Sequence, residues 1–89
     1  MSDVEALLRE LRSLPDLRPS GPEDVAALLA AARSAAGRWA DVLDEIRASA
    51  RGLVAPRTEA ALELAFRRAE ESYVELEIAL GDVTRRTST

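Results

Sequence analysis

Carboxylates are the most abundant side chains in this chain that could do chemistry. Sixteen acidic residues stand against 12 basic ones, all arginine. Asp41, Asp44 and Glu45 lie within about one helical turn, and oxygen ligands at that spacing suit a divalent cation. One hypothesis is therefore a helical, metal-dependent nucleotide hydrolase. The alternative is a solvated helix face, which the position of Asp41 and Asp44 opposite the apolar stripe favours.

The side chains that are missing restrict the chemistry further. The chain has no histidine, cysteine or lysine, which removes most groups that transfer protons or act as nucleophiles near neutral pH. Structural and catalytic zinc sites use histidine or cysteine, and di-iron helical bundles need histidine beside glutamate. The sequence therefore predicts a non-enzymatic protein with no metal and no cofactor.

Length and charge limit the class of partner. A chain of 89 residues with 47% hydrophobic residues and a net charge of -4 accommodates one small domain. The acidic balance argues against nucleic acid and against anionic membranes, which usually bind surfaces rich in lysine and arginine. No apolar run reaches the length of about 18 residues that a membrane span needs. We expect no membrane partner and a cytoplasmic location.

The first predicted helix covers about residues 3–14. Ser2 and Glu5 have the spacing of a capping box. Apolar residues then recur at helical steps until Pro15, which lacks the amide donor needed to continue. Three prolines and a glycine between residues 15 and 22 predict a loop.

The second predicted helix covers about residues 22–51. Pro22 suits the first helical position, and Gly52 and Pro56 are typical of a helix end. The apolar stripe is wide, as in a helical bundle, and its main positions are Val25, Leu28, Ala32, Ala35, Trp39, Val42 and Ile46.

The third predicted helix covers about residues 57–84 and is followed by a flexible tail at 85–89. Its stripe alternates steps of four and three, through Leu62, Phe66, Ala69, Tyr73, Leu76, Leu80 and Val83. No segment has the alternation of a strand.

These elements predict an all-α fold in which a short N-terminal helix precedes a long antiparallel helical hairpin. The short helix is expected along the N-terminal half of the second, with Val74 and Ile78 of the third helix packing nearby. The short helix cannot cover both long helices, because it is only about 18 Å long and each long helix is about 40 Å long. The other end of the hairpin is therefore expected to pair with a second copy, as a dimeric helical bundle.

The predicted interface consists of apolar residues near the hairpin end. Trp39 is expected to be a core anchor close to this interface, because it lies in the middle of the stripe among alanines. The predicted interface residues are Leu53, Val54, Leu62, Phe66, Trp39 and Ile46. The function expected from this pattern is a protein-protein interaction module, either a homodimer or a small subunit or adaptor of a larger assembly.

Two further patterns bear on partners. Glu63, Glu70 and Glu77 repeat every seven residues, which is the spacing of charged positions that select partners in coiled coils and also suits a simply solvated flank. Tyr73 and Glu77 form a Tyr-x-x-x-Glu motif in a hairpin of this length. In these features the chain resembles the WXG100 proteins exported by type VII secretion, and the resemblance implies a secreted helical partner protein. That family carries Trp-x-Gly in the hairpin turn, whereas Ala40 and Asp41 follow Trp39 here.

Overall fold

The computed structural model describes residues 2–14 and 18–87, which form three helices and no strand. The helices are α1 (Asp3–Arg12), α2 (Pro22–Ala50) and α3 (Pro56–Thr87). The predicted all-α fold, with a short first helix and a long hairpin, is confirmed. None of the helices in these two ranges combines the length and the apolar character that crossing a bilayer requires.

Helix α1 begins as expected and ends two residues early. The backbone N–H of Glu5 donates to the Ser2 hydroxyl over 3.1 Å, which is the predicted N-cap. The helix ends at Arg12, and the N–H of the C-cap residue Ser13 still bonds to the carbonyls of Arg9 and Glu10. Leu14 precedes a proline, and a residue in that position is sterically disfavoured from helical geometry.

Helix α2 is capped through residues on either side of its first turn. Gly21 is the N-cap and Pro22 follows it in the first turn. Asp24 accepts hydrogen bonds from the Ser20 hydroxyl at 2.6 Å and the Ser20 N–H at 3.1 Å. These two bonds lower the pKa of Asp24 below its ordinary value. Together they fix the direction in which the chain enters α2.

The hairpin turn between α2 and α3 depends on a glycine. Gly52 has a φ of 78°, a left-handed conformation that costs little only without a Cβ. Its N–H donates to Glu59 Oε1 over 2.8 Å, so the first turn of α3 caps the turn that precedes it. The predicted role of Gly52 at the end of α2 is confirmed.

Helix α3 extends beyond its predicted end. It runs to Thr87 instead of 84, so the prediction of a flexible tail is wrong for residues 85–87, while 88–89 lie outside the described residues. Asp82 pairs with Arg86 at 3.1 Å and with Arg85 at 3.8 Å. Pairs three and four residues apart support the last helical turn, and the two arginines also complement the helix dipole there.

Helix α2 lies between α1 and α3. On one side, Arg38 contacts Glu10 of α1 at 3.1 Å. On the other side, Ala40 and Leu43 form a buried cluster with Ala69 of α3. At 100° per residue the two sides of α2 are roughly opposite. Within the described ranges α1 packs against α2 and not against α3, so the three helices form a layer with α2 in the middle.

The position of α1 differs from the expected one. Contacts of Glu10 with Arg38 and of Asp3 with Glu45 place α1 beside the middle of α2, not beside its N-terminal half. Val74 and Ile78, expected to pack near α1, are 52% and 60% exposed. The reason is that α1 and α3 lie on opposite sides of α2.

The core is small and is formed mainly by small side chains. No side chain larger than leucine is buried within the described ranges, and the buried residues are Ala35, Ala40, Val42, Leu43 and Ala69. The molecule is elongated, with extents of 52 × 24 × 19 Å. Alanines allow α2 and α3 to approach closely, but they bury little apolar area per residue.

Two helical glycines provide a matched test of the α2–α3 contact. A Cβ on Gly81 would meet open space, whereas a Cβ on Gly37 would lie 3.3 Å from the Tyr73 ring. We expect Gly81→Ala to raise the free energy of unfolding by about 0.5–1 kcal/mol, the usual helix-propensity gain. Gly37→Ala should gain clearly less because the ring must shift. Chemical denaturation measures both, and an equal gain would contradict the close contact.

Candidate interaction surface

Large apolar side chains remain exposed along α1 and α2. Leu53 is 81% exposed, and Trp39 and Ile46 are 47% and 44% exposed. Helix α1 adds residues that are also nearly half exposed, although its sequence is strongly amphipathic. We use the name apolar face for Val4, Leu11, Trp39, Ile46 and Leu53.

Helix geometry places the α1 and α2 residues of the apolar face on the same side of the layer. The contacts between the helices are made by Asp3 and Glu10 of α1 with Glu45 and Arg38 of α2. In α1, Val4 and Leu11 directly follow the contact residues Asp3 and Glu10. In α2, Trp39 and Ile46 directly follow the contact residues Arg38 and Glu45. Because the helices are antiparallel, the same 100° rotation brings both pairs to one side.

The apolar face continues to the end of the hairpin. A shallow depression of about 480 Å³ is lined by Ile46, Ala50, Leu53 and Val54, with Glu45 and Ser49 at its edge. It joins the α2 part of the face to the turn. Val54, a predicted interface residue, is 37% exposed at this end.

The structure separates the six predicted interface residues into two groups. Trp39, Ile46, Leu53 and Val54 are exposed, as an interface requires. Leu62 and Phe66 are only partly exposed, and Phe66 packs against the buried cluster between α2 and α3. These two residues therefore belong to the contact within the hairpin.

The expectation that Trp39 is a core anchor is wrong. Nearly half of its side chain is exposed, because the α2–α3 contact is built around alanines and leaves no space for an indole. The α1 residues of the apolar face were not among the predicted interface residues. Their signal was the width of the α1 stripe, in which Val4 and Leu11 add to the positions that face α2.

Arg47 of α2 makes polar contacts within its own helix and with α3. Its guanidinium donates to Glu63 of α3 over 2.9 Å and also to Asp44. It lies 5.1 Å from the centre of the Phe66 ring, within the range of a cation-π contact. The Asp44 hydrogen bond, followed by the nearby charge of Glu63, raises the pKa of Arg47. Arg47 therefore ties the two long helices together.

The opposite side of the layer carries a groove that contains charged side chains. The groove has a volume of about 490 Å³ and lies between α2 and α3, where Gly37, Ala40 and Val74 line it together with charged and polar residues that include Arg33, Arg38, Asp41, Glu70 and Tyr73. A hydrogen bond between Tyr73 and Glu77, and the charge of Glu77, raise the pKa of Tyr73. The large side chains of the apolar face, by contrast, are uncharged.

The three clustered carboxylates point to different neighbours. Asp41 lines the polar groove, Asp44 pairs with Arg47, and Glu45 faces Asp3 of α1. In the part of the chain that the structure describes, no three histidine, cysteine, aspartate or glutamate side chains are grouped to hold a metal ion. Within the described residues, Asp41, Asp44 and Glu45 are therefore not directed toward one common point.

Glu45 has an unfavourable neighbourhood for its charged form. A hydrogen bond shared with Asp3, followed by the charges of Asp3, Asp41 and Asp44, raises the pKa of Glu45 above its ordinary value. The pair joins the N-terminus of α1 to α2, so protonated Glu45 favours the docked helix and ionised Glu45, beside Asp3, opposes it.

Comparison with protein-family models, with curated proteins and with solved structures gives no match. The Trp-x-Gly turn of the WXG100 proteins has no counterpart in the structure. Trp39 lies inside α2, while the turn after Ala50 contains Gly52.

The carboxyl pair predicts a pH dependence of α1 docking. The pKa of Glu45 in the folded state is raised, so protonated Glu45 stabilises the docked α1. This stabilisation is fully present at low pH and is lost as the pH rises through the raised pKa. Glu45→Gln should slow amide hydrogen exchange in α1 severalfold at about pH 7 and change it little at about pH 4. The control is Glu75→Gln on the exposed part of α3. Unchanged exchange at neutral pH would contradict the assignment.

Proposed function

We propose that this protein is a non-enzymatic interaction module that binds another protein chain through the apolar face. The observation that carries the proposal is the exposure of five large apolar side chains, Val4, Leu11, Trp39, Ile46 and Leu53, on one side of the helical layer. Trp39 and Ile46 lie in the middle of this set. Contiguous exposed apolar surface of this kind marks interaction sites, and tryptophan is enriched among residues that dominate binding energy.

The contrast between the two sides of the layer supports the choice of surface. The groove that contains Arg33, Asp41 and Glu70 is well solvated and charged, whereas the apolar face has uncharged side chains throughout. The centres of protein interfaces are depleted in charged residues and enriched in aromatic ones. The apolar face fits that composition.

The composition supports a binding role rather than a catalytic one. Histidine, cysteine and lysine are missing from the sequence, and the ion pair of Arg47 with Glu63 joins α2 to α3. We propose that the module works in the cytoplasm as a homodimer or as a small subunit of an assembly, without nucleic acid or membrane as a partner.

Site-specific photo-crosslinking tests the proposed surface. A photoreactive phenylalanine analogue replaces Trp39 in one variant and Ile78 in the control, since Ile78 is similarly exposed on the outer side of α3. In cells of the source organism, the variant at position 39 should give discrete covalent adducts with protein. The variant at position 78 should give few.

A second substitution makes the test specific. Ile46→Glu, added to the position 39 variant, places a charge in the middle of the apolar face and should abolish the adducts. Absence of adducts at position 39, or equal adducts at both positions, would overturn the proposed function. Circular dichroism of the purified variants checks that the helices are retained.

A further inference from the structure

The occupant of the apolar face follows from its area, its charge and its symmetry. Resting on the proposed function, we propose that a second copy of this chain covers the face, with the two α2 helices antiparallel and Trp39 of each copy packed against Ile46 of the other.

The first argument is area. The chain exposes 6397 Å² of accessible surface, whereas a compact monomer of 9.6 kDa exposes about 5,100 Å². The difference of about 1,300 Å² exceeds the roughly 800 Å² that each partner contributes to a standard interface. A single contact with a second copy is therefore large enough to remove most of the excess.

The second argument is charge. Each copy carries a net charge of -4, so a contact between copies must avoid opposing carboxylates. The apolar face meets this condition because its exposed large side chains are uncharged. The nearest charged residues of α2 are Arg38, which pairs with Glu10 of α1, and Glu45, which faces Asp3 of α1 and also lines the depression beside Ile46 and Leu53. Two copies can therefore meet through Trp39 and Ile46, which are both uncharged.

The third argument is symmetry. Ala32, Trp39, Ile46 and Leu53 repeat every seven residues along the chain, and the depression beside Ile46 keeps Leu53 on the same side although it lies past the end of α2. A two-fold axis through the midpoint of these four residues places Trp39 of one copy opposite Ile46 of the other. The same axis places Leu53 of one copy opposite Ala32 of the other. The large side chain of Leu53 then meets a small one.

Helix α1 is centred beside the same point of α2 through which the proposed two-fold axis passes. Its contacts with α2 run from Arg38 to Glu45, so their midpoint lies close to the midpoint between Trp39 and Ile46. Val4 and Leu11 therefore extend the apolar contact on either side of the two-fold axis. An antiparallel arrangement also sets the dipoles of the two long α2 helices against each other favourably. A contact of this kind is isologous and closes as a dimer.

Sedimentation velocity of the purified full-length chain is the first test. The native chain should be a dimer at about 100 µM, in the range where weak specific dimers form. Trp39→Glu and Ile46→Glu should each weaken self-association by about tenfold or more, with helical content retained. Leu64→Glu, on the outer side of α3 where Leu64 is 50% exposed, is the matched control and should remain dimeric.

Cysteine crosslinking tests the orientation, and the native chain contributes no cysteine of its own. A mixture of Ala32→Cys and Leu53→Cys chains, treated with a short bismaleimide, should form the mixed dimer. Leu53→Cys alone should not crosslink, because an antiparallel pair separates these two positions by about 30 Å. Efficient crosslinking of Leu53→Cys with itself would overturn the antiparallel arrangement.

The two proposals fail in different ways. A native chain that sediments as a monomer at about 100 µM overturns the homodimer. The proposed function would survive that result if position 39 still gave a photo-adduct of another mass, and it would fail if position 39 gave none.

Discussion

The structure depends on one constraint, which is that α2 packs against different helices on its two opposite sides. Arg38 and Glu45 face α1, while Ala40 and Leu43 face α3. Helices on opposite sides of a third cannot cover each other, so α1 and α3 each bury only the part of their stripe that meets α2. In a closed three-helix bundle each helix packs on two neighbours. This layer instead leaves one complete apolar side uncovered.

The small side chains between α2 and α3 explain why the large ones point outward. Gly37 lies against the Tyr73 ring, and Ala40 and Ala69 form the buried cluster with Leu43. Close packing around residues of this size leaves no volume for an indole, and interiors tolerate little overpacking. The indole of Trp39 therefore lies on the apolar face. Arg47 can occupy the edge of the same contact because its guanidinium lies over the Phe66 ring and also reaches two carboxylates.

The helices could be predicted because the residues that start and end them act on the backbone within a few positions. Features that depend on more distant residues could not be predicted in this way. Ser2, Pro22 and Gly52 act on the backbone within a few residues, so the starts of α1 and α2 and the turn could be inferred from sequence. The end of α3 was placed too early because ion pairs of Asp82 with the next turn extend the helix. A wide apolar stripe spans more of the helix than one neighbour covers, so periodicity alone does not tell which part faces which helix.

The position of α1 illustrates the same limit over a longer distance. It is fixed by an ion pair between Glu10 and Arg38, residues 28 positions apart, and no periodic pattern encodes such a pair. The candidate surface was accordingly predicted only in its α2 part. Trp39, Ile46 and Leu53 were identified, while the α1 residues became visible only once the structure showed which side of α1 meets α2.

For helix α1, docking against α2 is coupled to the binding of a partner on the apolar face. It contains no buried residue, and the carboxyl groups of Asp3 and Glu45 oppose its docking when both are ionised. Val4 and Leu11 join the apolar face only when α1 lies against α2. A chain that covers Trp39 and these two residues together therefore binds the docked form more tightly than the undocked one. A partner that binds the docked form more tightly shifts α1 toward that form. By thermodynamic linkage, any change that stabilises docked α1 also strengthens binding of the partner.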